Sequence, residues 1–231
     1  MGYISEGFSV ALHLLVSGNP ETYSAVWATL LSSLLAMTAA LAIGMPCGFL
    51  LGYYDFPGRR HVRLAVDTML CFPTVVIGLL VYMLLSRRGP LGDLGLLFTI
   101  PGMAIGLALL GLPIIIALTS LAVEQVDSRL RPTLLTLGAD RGQMFRATLH
   151  EVRLHLLGAG ITAFGRVVSE VGISMMVGGN IKWHTRTITT AISLETGKGE
   201  FATGIALGIV LLAIALVINI ALARLRRRAR I

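Results

Sequence analysis

Five stretches of this 231-residue chain stay apolar for long enough to cross a bilayer: about Ser24 to Tyr53, Leu64 to Leu85, Leu96 to Leu121, Leu154 to Val177 and Phe201 to Leu222. A helix needs about 20 predominantly apolar residues to cross the hydrocarbon core. A transmembrane barrel is built instead from segments of about ten residues in alternating polarity, a pattern these runs do not show. The reading is an all-α membrane protein with five transmembrane helices. Composition agrees, with 55% hydrophobic and 13% charged residues against about 25% charged in soluble domains. Glycine is abundant at 26 residues while aromatics supply 6%, which suits helices whose backbones approach closely in lipid.

The basic residues orient the spans. Thirteen of the 19 Lys and Arg fall in three segments: Arg59, Arg60 and Arg63; Arg129, Arg131, Arg141, Arg146 and Arg153; and Arg224, Arg226, Arg227, Arg228 and Arg230. The opposite-side segments hold only Arg87, Arg88, Lys182, Arg186 and Lys198. Cationic loops remain in the cytoplasm, so the N-terminus is expected outside and the C-terminus, with its basic tail 223–231, inside. The clustering is that of topology determinants, and it argues against the continuous basic stripe of a nucleic-acid surface.

Residues 1–23 lack the basic region and apolar core of a cleavable signal peptide. Within them, 3–18 are too short to cross the membrane and read either as a helix lying along the outer interface or as a tail. The transmembrane unit is taken as 24–222. Pro46 falls in the first span, Pro73 in the second, and Pro101 and Pro113 in the third, with Gly44, Gly48, Gly78, Gly102, Gly106 and Gly111 around them. Proline removes a backbone hydrogen bond and bends a helix, so these spans either pack closely or line a pathway. Cys47 and Cys71 have no metal spacing and are expected as buried free thiols.

The longest polar connection, Glu124 to Arg153, reads as two short helices. Pro132 fits a first turn, Gly138 supplies a break, and Asp140 with Gln143 forms a capping box for the second helix. Leu134, Leu135 and Leu137 give one apolar patch, and Met144, Phe145 and Leu149 another, flanked by Arg141, Arg146 and Arg153. Such an element suits docking on a cytoplasmic partner, although a well-packed connector or packing roles for Glu124, Asp127 and Arg129 fit the residues too. Tethering at both ends argues against DNA binding.

The stretch TLGADRGQMFRATLHEVR, continuing through LLGAGITAFGRVVSEVG, resembles the coupling motif of bacterial ABC-importer permeases. Gly138 matches the motif's glycine, whereas the acidic-alanine-alanine part is degenerate at Thr136-Leu137-Gly138-Ala139 and the usual Leu-Pro pair is replaced around Leu149-His150-Glu151. Phe72-Pro73-Thr74-Val75-Val76-Ile77-Gly78, Leu84 to Gly92 and Arg166 to Gly172 resemble the molybdate/tungstate branch. Thr185 to Ile192 with Leu194-Glu195-Thr196 is more similar to tungstate permeases.

The resemblance implies a type I ABC-importer permease fold in the bacterial inner membrane. It implies a homodimer with the pore on its axis, two cytoplasmic ATPase subunits beneath and a periplasmic oxyanion-binding protein above. The chain itself shows no phosphate loop and no His, Cys or Asp cluster with metal spacing. No cofactor is therefore expected on it, and ATP with magnesium belongs to the partner ATPases. Coupling would fall to Arg131, Pro132, Leu137, Gly138, Ala139, Asp140, Arg141, Met144, Phe145 and Arg146. Asp67, Arg166 and Glu170 are ionisable residues in or near apolar runs, which makes each a candidate site. Arg166 and Glu170, four apart, are spaced to neutralise each other. Pore or gate candidates are Thr74, Ser169, Ser174, Arg166 and Glu170, since a weakly polar path releases an anion more readily than a tight site. Lys182, Trp183, His184 and Arg186 are candidates for docking the binding protein, or simply a polar loop with an interfacial tryptophan. The rival readings are a secondary transporter or channel, whose inverted repeats are not found here, and an importer permease for sulfate or phosphate.

Overall fold

The computed structural model describes residues 7, 10–11, 19–127 and 129–228, and all regular structure among the described residues is helical. The elements are α1 (Pro20–Tyr53), α2 (Arg59–Leu70), α3 (Thr74–Leu85), a 3-10 turn (Gly92–Leu94), α4 (Ile100–Glu124), α5 (Leu130–Thr136), α6 (Arg141–Val168), α7 (Gly172–Gly178), α8 (Ile188–Gly197) and α9 (Phe201–Arg228). Among the described residues, three helices are long and apolar enough to cross a membrane: α1, α4 and Phe201–Ala221 of α9. Two bent pairs, α2 with α3 and α6 with α7, raise the number to five if each pair is one span.

Local chemistry sets the starts of the long helices. Asn19 caps α1, its Oδ1 accepting the N–H groups of Glu21 and Thr22 at 3.0 and 3.2 Å with Pro20 in the first turn. The Thr99 hydroxyl likewise accepts the Gly102 N–H at 3.1 Å ahead of α4. These caps satisfy N–H groups that the helix itself cannot. Pro101 stands in the first turn of α4 rather than inside the span, where its missing N–H costs nothing.

The main seam joins α1 to α4. Ala36, Ala40, Gly44, Gly48 and Gly52 recur every fourth residue, and so share one face. A methyl group at Gly48 would lie 2.6 Å from the Ile116 carbonyl oxygen, and one at Gly52 2.6 Å from that of Ser120. Small residues let these backbones touch where lipid gives no hydrophobic reward for association. Beyond the seam, Val81, Leu85, Leu107, Leu110, Ile115, Val167, Ile173 and Val177 form the principal apolar core.

The second and fourth spans depart from the sequence reading. The second is not one helix from Leu64 to Leu85: α2 and α3, 12 residues each, meet at 99°. Pro73 is the N-cap of α3, so it opens a helix instead of kinking one. The fourth span begins far earlier than Leu154, because α6 runs unbroken from Arg141 to Val168 and absorbs the second of the two short helices expected before it. It then breaks at Ser169–Val171, and α7 continues at 60°. The two breaks face each other: a methyl group at Gly172 would lie 3.3 Å from Glu170 Oε1, 3.4 Å from Val75 and 3.6 Å from the Thr74 hydroxyl. Ile173, fully buried, seats α7 against Gly78 of α3 and Gly106 of α4.

Cys47 and Cys71 are free but lie on the outside of the chain, not in its core. A thiol that faces lipid or another subunit has no water to avoid. Residues 3–18 lie outside the described residues except 7, 10 and 11, which are helical.

Candidate functional site

Two ends of the bundle carry its polar chemistry. One end holds the elbow formed by residues 125–140 and α5. Here the α5 helix closes on a left-handed Gly138, φ +76°, with the N–H groups of Gly138 and Ala139 returning to the carbonyls of Leu135 and Leu134 at 3.0 Å each. Glycine adopts this conformation without the steric cost of a Cβ. The capping box then starts α6: Asp140 Oδ1 accepts the Gln143 N–H at 2.8 Å and Gln143 Oε1 accepts the Asp140 N–H at 2.9 Å.

Side chains at the elbow divide into an inner and an outer set. Met144 is buried and, with Leu134 and Leu130, lines a cavity of about 190 Å³ beneath Gly52, Tyr53 and Val123. Phe145 packs tilted against Phe49 with ring centroids 4.7 Å apart and keeps more than a third of its surface open. Facing outward are Leu137, 77% exposed, and Leu135, with Pro132, Arg141, Arg146 and Leu149. Of the expected set, Ala139 is half-buried, Asp140 and Gly138 are exposed, and Arg131 is described only as part of the α5 backbone.

The flanks of the elbow are held by ions. Glu124, the last residue of α4, pairs with Arg59 at 2.6 Å and with Arg63, both on α2. Arg59 also donates through Nε to the Leu51 carbonyl at 2.8 Å and pairs with Asp55. Asp127 Oδ1 accepts the Arg129 N–H at 2.9 Å. These acidic residues are therefore engaged within the chain, while Asp67 is exposed on α2.

Around the facing breaks, the structure gathers several of the pore candidates. Glu170 is buried; its Oε2 receives Arg166 at 3.0 Å and its Oε1 the Ile173 N–H at 3.3 Å. The pair forms although α6 ends at Val168, so Glu170 lies beyond the helix on which the i, i+4 spacing was read. Ser174 is buried and bonds the Glu170 carbonyl at 3.4 Å, whereas Ser169 is exposed and donates to Arg166 O at 3.1 Å. Thr74 is half-buried beside Gly172.

A buried threonine set, within the stretch that resembles tungstate permeases, locks this region. Thr189 donates to the Glu170 carbonyl at 3.0 Å, and Thr185 bonds the Gly178 carbonyl. The Ile188 N–H donates to the Thr29 hydroxyl on α1 at 2.9 Å, 159 positions away. No single hydroxyl signals such a contact in sequence; the run Thr185, Thr187, Thr189 and Thr190 in an apolar context was the available sign.

At the far end, Glu21 at the start of α1 binds both Lys182 at 2.8 Å and Arg186 at 2.6 Å. Arg186 further donates to Asn180 at 3.2 Å, and Trp183, φ +69°, stands exposed beside His184. Lys198 pairs with Glu195 at 2.8 Å. No group of three or more His, Cys, Asp or Glu is placed to hold a metal among the described residues.

Apolar helices long enough to span, two facing helix breaks and a protruding helical elbow define a multi-span membrane protein. The chain belongs to the family described as "Binding-protein-dependent transport system inner membrane component", which it matches over residues 44–231, and it is therefore a multi-pass inner-membrane protein. It is 47% identical over 227 residues to the tungstate uptake system permease protein TupB of Campylobacter jejuni, covering 98% of this chain and 95% of that protein. It is 39% identical to TupB of Peptoclostridium acidaminophilum, covering 95% and 96% of the two chains, and 30% identical to the molybdenum transport system permease protein ModB of Escherichia coli, covering 92% and 98%. Among solved structures, a chain of the MetNI methionine ABC transporter superposes with a TM-score of 0.74 at 20% identity, over 90% of this chain and 96% of that one. A chain of a bacterial alginate ABC transporter gives 0.75 at 19%, over 94% and 82%. The fold is that of type I ABC-importer permeases.

Proposed function

We propose that this chain forms the translocation path of an ATP-driven tungstate importer, with molybdate as the second substrate. The near full-length identity to two tungstate uptake permeases carries this reading. In it the chain spans the membrane five times, each bent pair counting once, with the N-terminus outside and the C-terminus in the cytoplasm. The arginine distribution supports that orientation, since Arg59, Arg63 and the elbow arginines then share the cytoplasmic side.

Two copies of the chain enclose the pore, and a periplasmic oxyanion-binding protein delivers the anion to the outer end, with Lys182, Trp183, His184 and Arg186 among its contacts. Two cytoplasmic ATPase subunits, which bind ATP and magnesium, take the elbow in a surface groove. Leu137 and Leu135 supply the apolar contact there, Arg141 and Arg146 the charge, and Asp140 with Gly138 fixes their presentation. Met144 and Phe145 brace the elbow from within. ATPase closure moves α5 and the start of α6 and biases the permease between two states. The neutralised Arg166–Glu170 pair with Thr74 and Ser169 offers a weakly polar lining that does not hold a dianion, while the buried Ser174 braces the Glu170 backbone behind it.

The test is reconstitution of the chain with its ATPase and binding protein in proteoliposomes. Hydrolysis should rise several-fold with tungstate-loaded binding protein, less with molybdate, and little with sulfate or phosphate. A sulfate-loaded or phosphate-loaded protein that stimulates best would replace the substrate assignment, and an absence of stimulation by every oxyanion would remove it.

A further inference from the structure

Five basic residues lie in the connections at the far end of the bundle, and the structure separates them into two kinds. Lys182 and Arg186 share Glu21, and Lys198 holds Glu195. In the cavity of about 440 Å³ that these groups border, each of the three cations thus has a carboxylate partner, two of them sharing one. Arg87 and Arg88 have no carboxylate partner among the described residues, and both are exposed. They line a separate, larger cavity of about 650 Å³ between the end of α3 and the start of α4, walled by Tyr82 and Phe98.

The backbone holding these arginines is closely fixed. Gly89 donates to the Ser86 carbonyl at 2.7 Å, Leu91 to Leu84 at 3.0 Å and Gly92 to Gly89 at 3.1 Å. A side chain at Gly89 would strike the Met83 carbonyl, and one at Gly92 the Ser86 carbonyl. Phe98 adopts φ +61°, its N–H donates to Val177 at 2.9 Å, and its ring stands edge-on to Tyr82 at 6.3 Å. Two guanidinium groups are therefore presented from a tight turn at the mouth of a concave, aromatic-walled space beside α7. Arginine on this side of the membrane also runs against the topological preference for cationic loops inside.

We propose that Arg87 and Arg88 form an entry site for a tetrahedral oxyanion, capturing it as it leaves the binding protein and before it reaches the facing breaks. The site rests on the oxyanion reading above. Guanidinium planes match oxyanions through paired N–H donors. Unpaired positive charge in a cleft raises the local anion concentration and the rate of entry, an effect that salt screens. A concave cavity favours a small anion over a docking surface for acidic protein side chains. Lipid phosphate shares the same chemistry, and the test separates the two sources.

The assembled complex is placed in proteoliposomes of phosphatidylcholine alone or with added phosphatidylglycerol, and ATP-driven tungstate uptake is followed at low and high potassium chloride. Wild-type uptake should fall about fivefold on adding salt. The double variant R87Q/R88Q should begin about fivefold lower and respond little to salt, R87K/R88K should lie between, and stimulation of hydrolysis by loaded binding protein should be unchanged in all. The lipid comparison should leave these ratios intact. Equal uptake by R87Q/R88Q and wild type would overturn the site. So would a joint loss of uptake and stimulation, which marks a binding-protein contact, or an effect confined to phosphatidylglycerol, which marks lipid. A wild-type complex that takes up neither tungstate, molybdate nor sulfate would overturn the oxyanion reading and this site together.

Discussion

Arg59 and Glu124, 65 residues apart, meet at 2.6 Å and fasten α2 to the end of α4, while the same guanidinium donates to the Leu51 carbonyl near the end of α1. Both side chains are about a quarter exposed, so the ion pair alone contributes about 1 kcal/mol or less. Removing Arg59 costs more, because the last carbonyls of α1 lose a donor. Arg59→Ala should lower the stability of the detergent-solubilised chain by about 2 kcal/mol and Glu124→Gln by about 1. Thermal melting of the two single variants and the double checks this, and strict additivity would deny the coupling.

Gly48 has no room for a side chain against Ile116 and Thr119. Gly48→Val should separate α1 from α4 and abolish recovery of folded protein, since the obstacle is backbone that cannot rotate away. Gly208→Ala is the matched control, with nothing within 4 Å of the added methyl, and should be recovered at the wild-type level. Size-exclusion profiles after solubilisation report both.

Leu137 lies at the tip of the elbow and touches little of its own chain. Leu137→Asp should leave membrane insertion and melting temperature unchanged while reducing co-purification with the ATPase by tenfold or more, the equivalent of about 1.4 kcal/mol. Gly138→Ala should do less, costing about 1 kcal/mol of local strain at its positive φ. Equal recovery of the ATPase by both variants and wild type would place docking elsewhere.

Arg166 is 44% exposed and its partner Glu170 only 4%. Loss of the arginine leaves a buried carboxylate facing one N–H donor, whereas Glu170→Gln removes the charge and keeps the acceptor for Ile173. Arg166→Ala should therefore destabilise the chain by about 3 kcal/mol and Glu170→Gln by less. The double variant should lie nearer Glu170→Gln than Arg166→Ala, as read from melting temperatures.

The long apolar helices were legible because hydropathy over 20 residues is a burial signal in itself, and α1, α4 and α9 match it. The elbow was legible for a different reason. Gly138, Asp140 and Gln143 act on neighbours within three residues, so their geometry is local. What the sequence concealed is where apolar chain stops being straight. Leu64 to Leu85 reads as one run because Cys71 and Phe72 are as apolar as their neighbours, and only the fixed φ of Pro73 marks the corner. The break at Ser169–Val171 carries no proline, and α6 extends past Arg153 because a helix has no reason to end where its environment turns polar. Glu21 was not anticipated as the partner of Lys182 and Arg186. That contact depends on a packing of α1 against α8 and α9 that no local pattern encodes.

The uninterrupted course of α6 has a mechanical consequence. Its 28 residues measure roughly 42 Å at 1.5 Å per residue, from the capping box at Asp140 to the buried carboxylate just past its other end. No proline interrupts that length, so the helix is a continuous lever between two joints, Gly138 and Ser169–Val171. A tilt imposed at the elbow is not dissipated along the way. It arrives at the Arg166–Glu170 contact as an angular displacement, and the break that seats α7 must either swing with it or give.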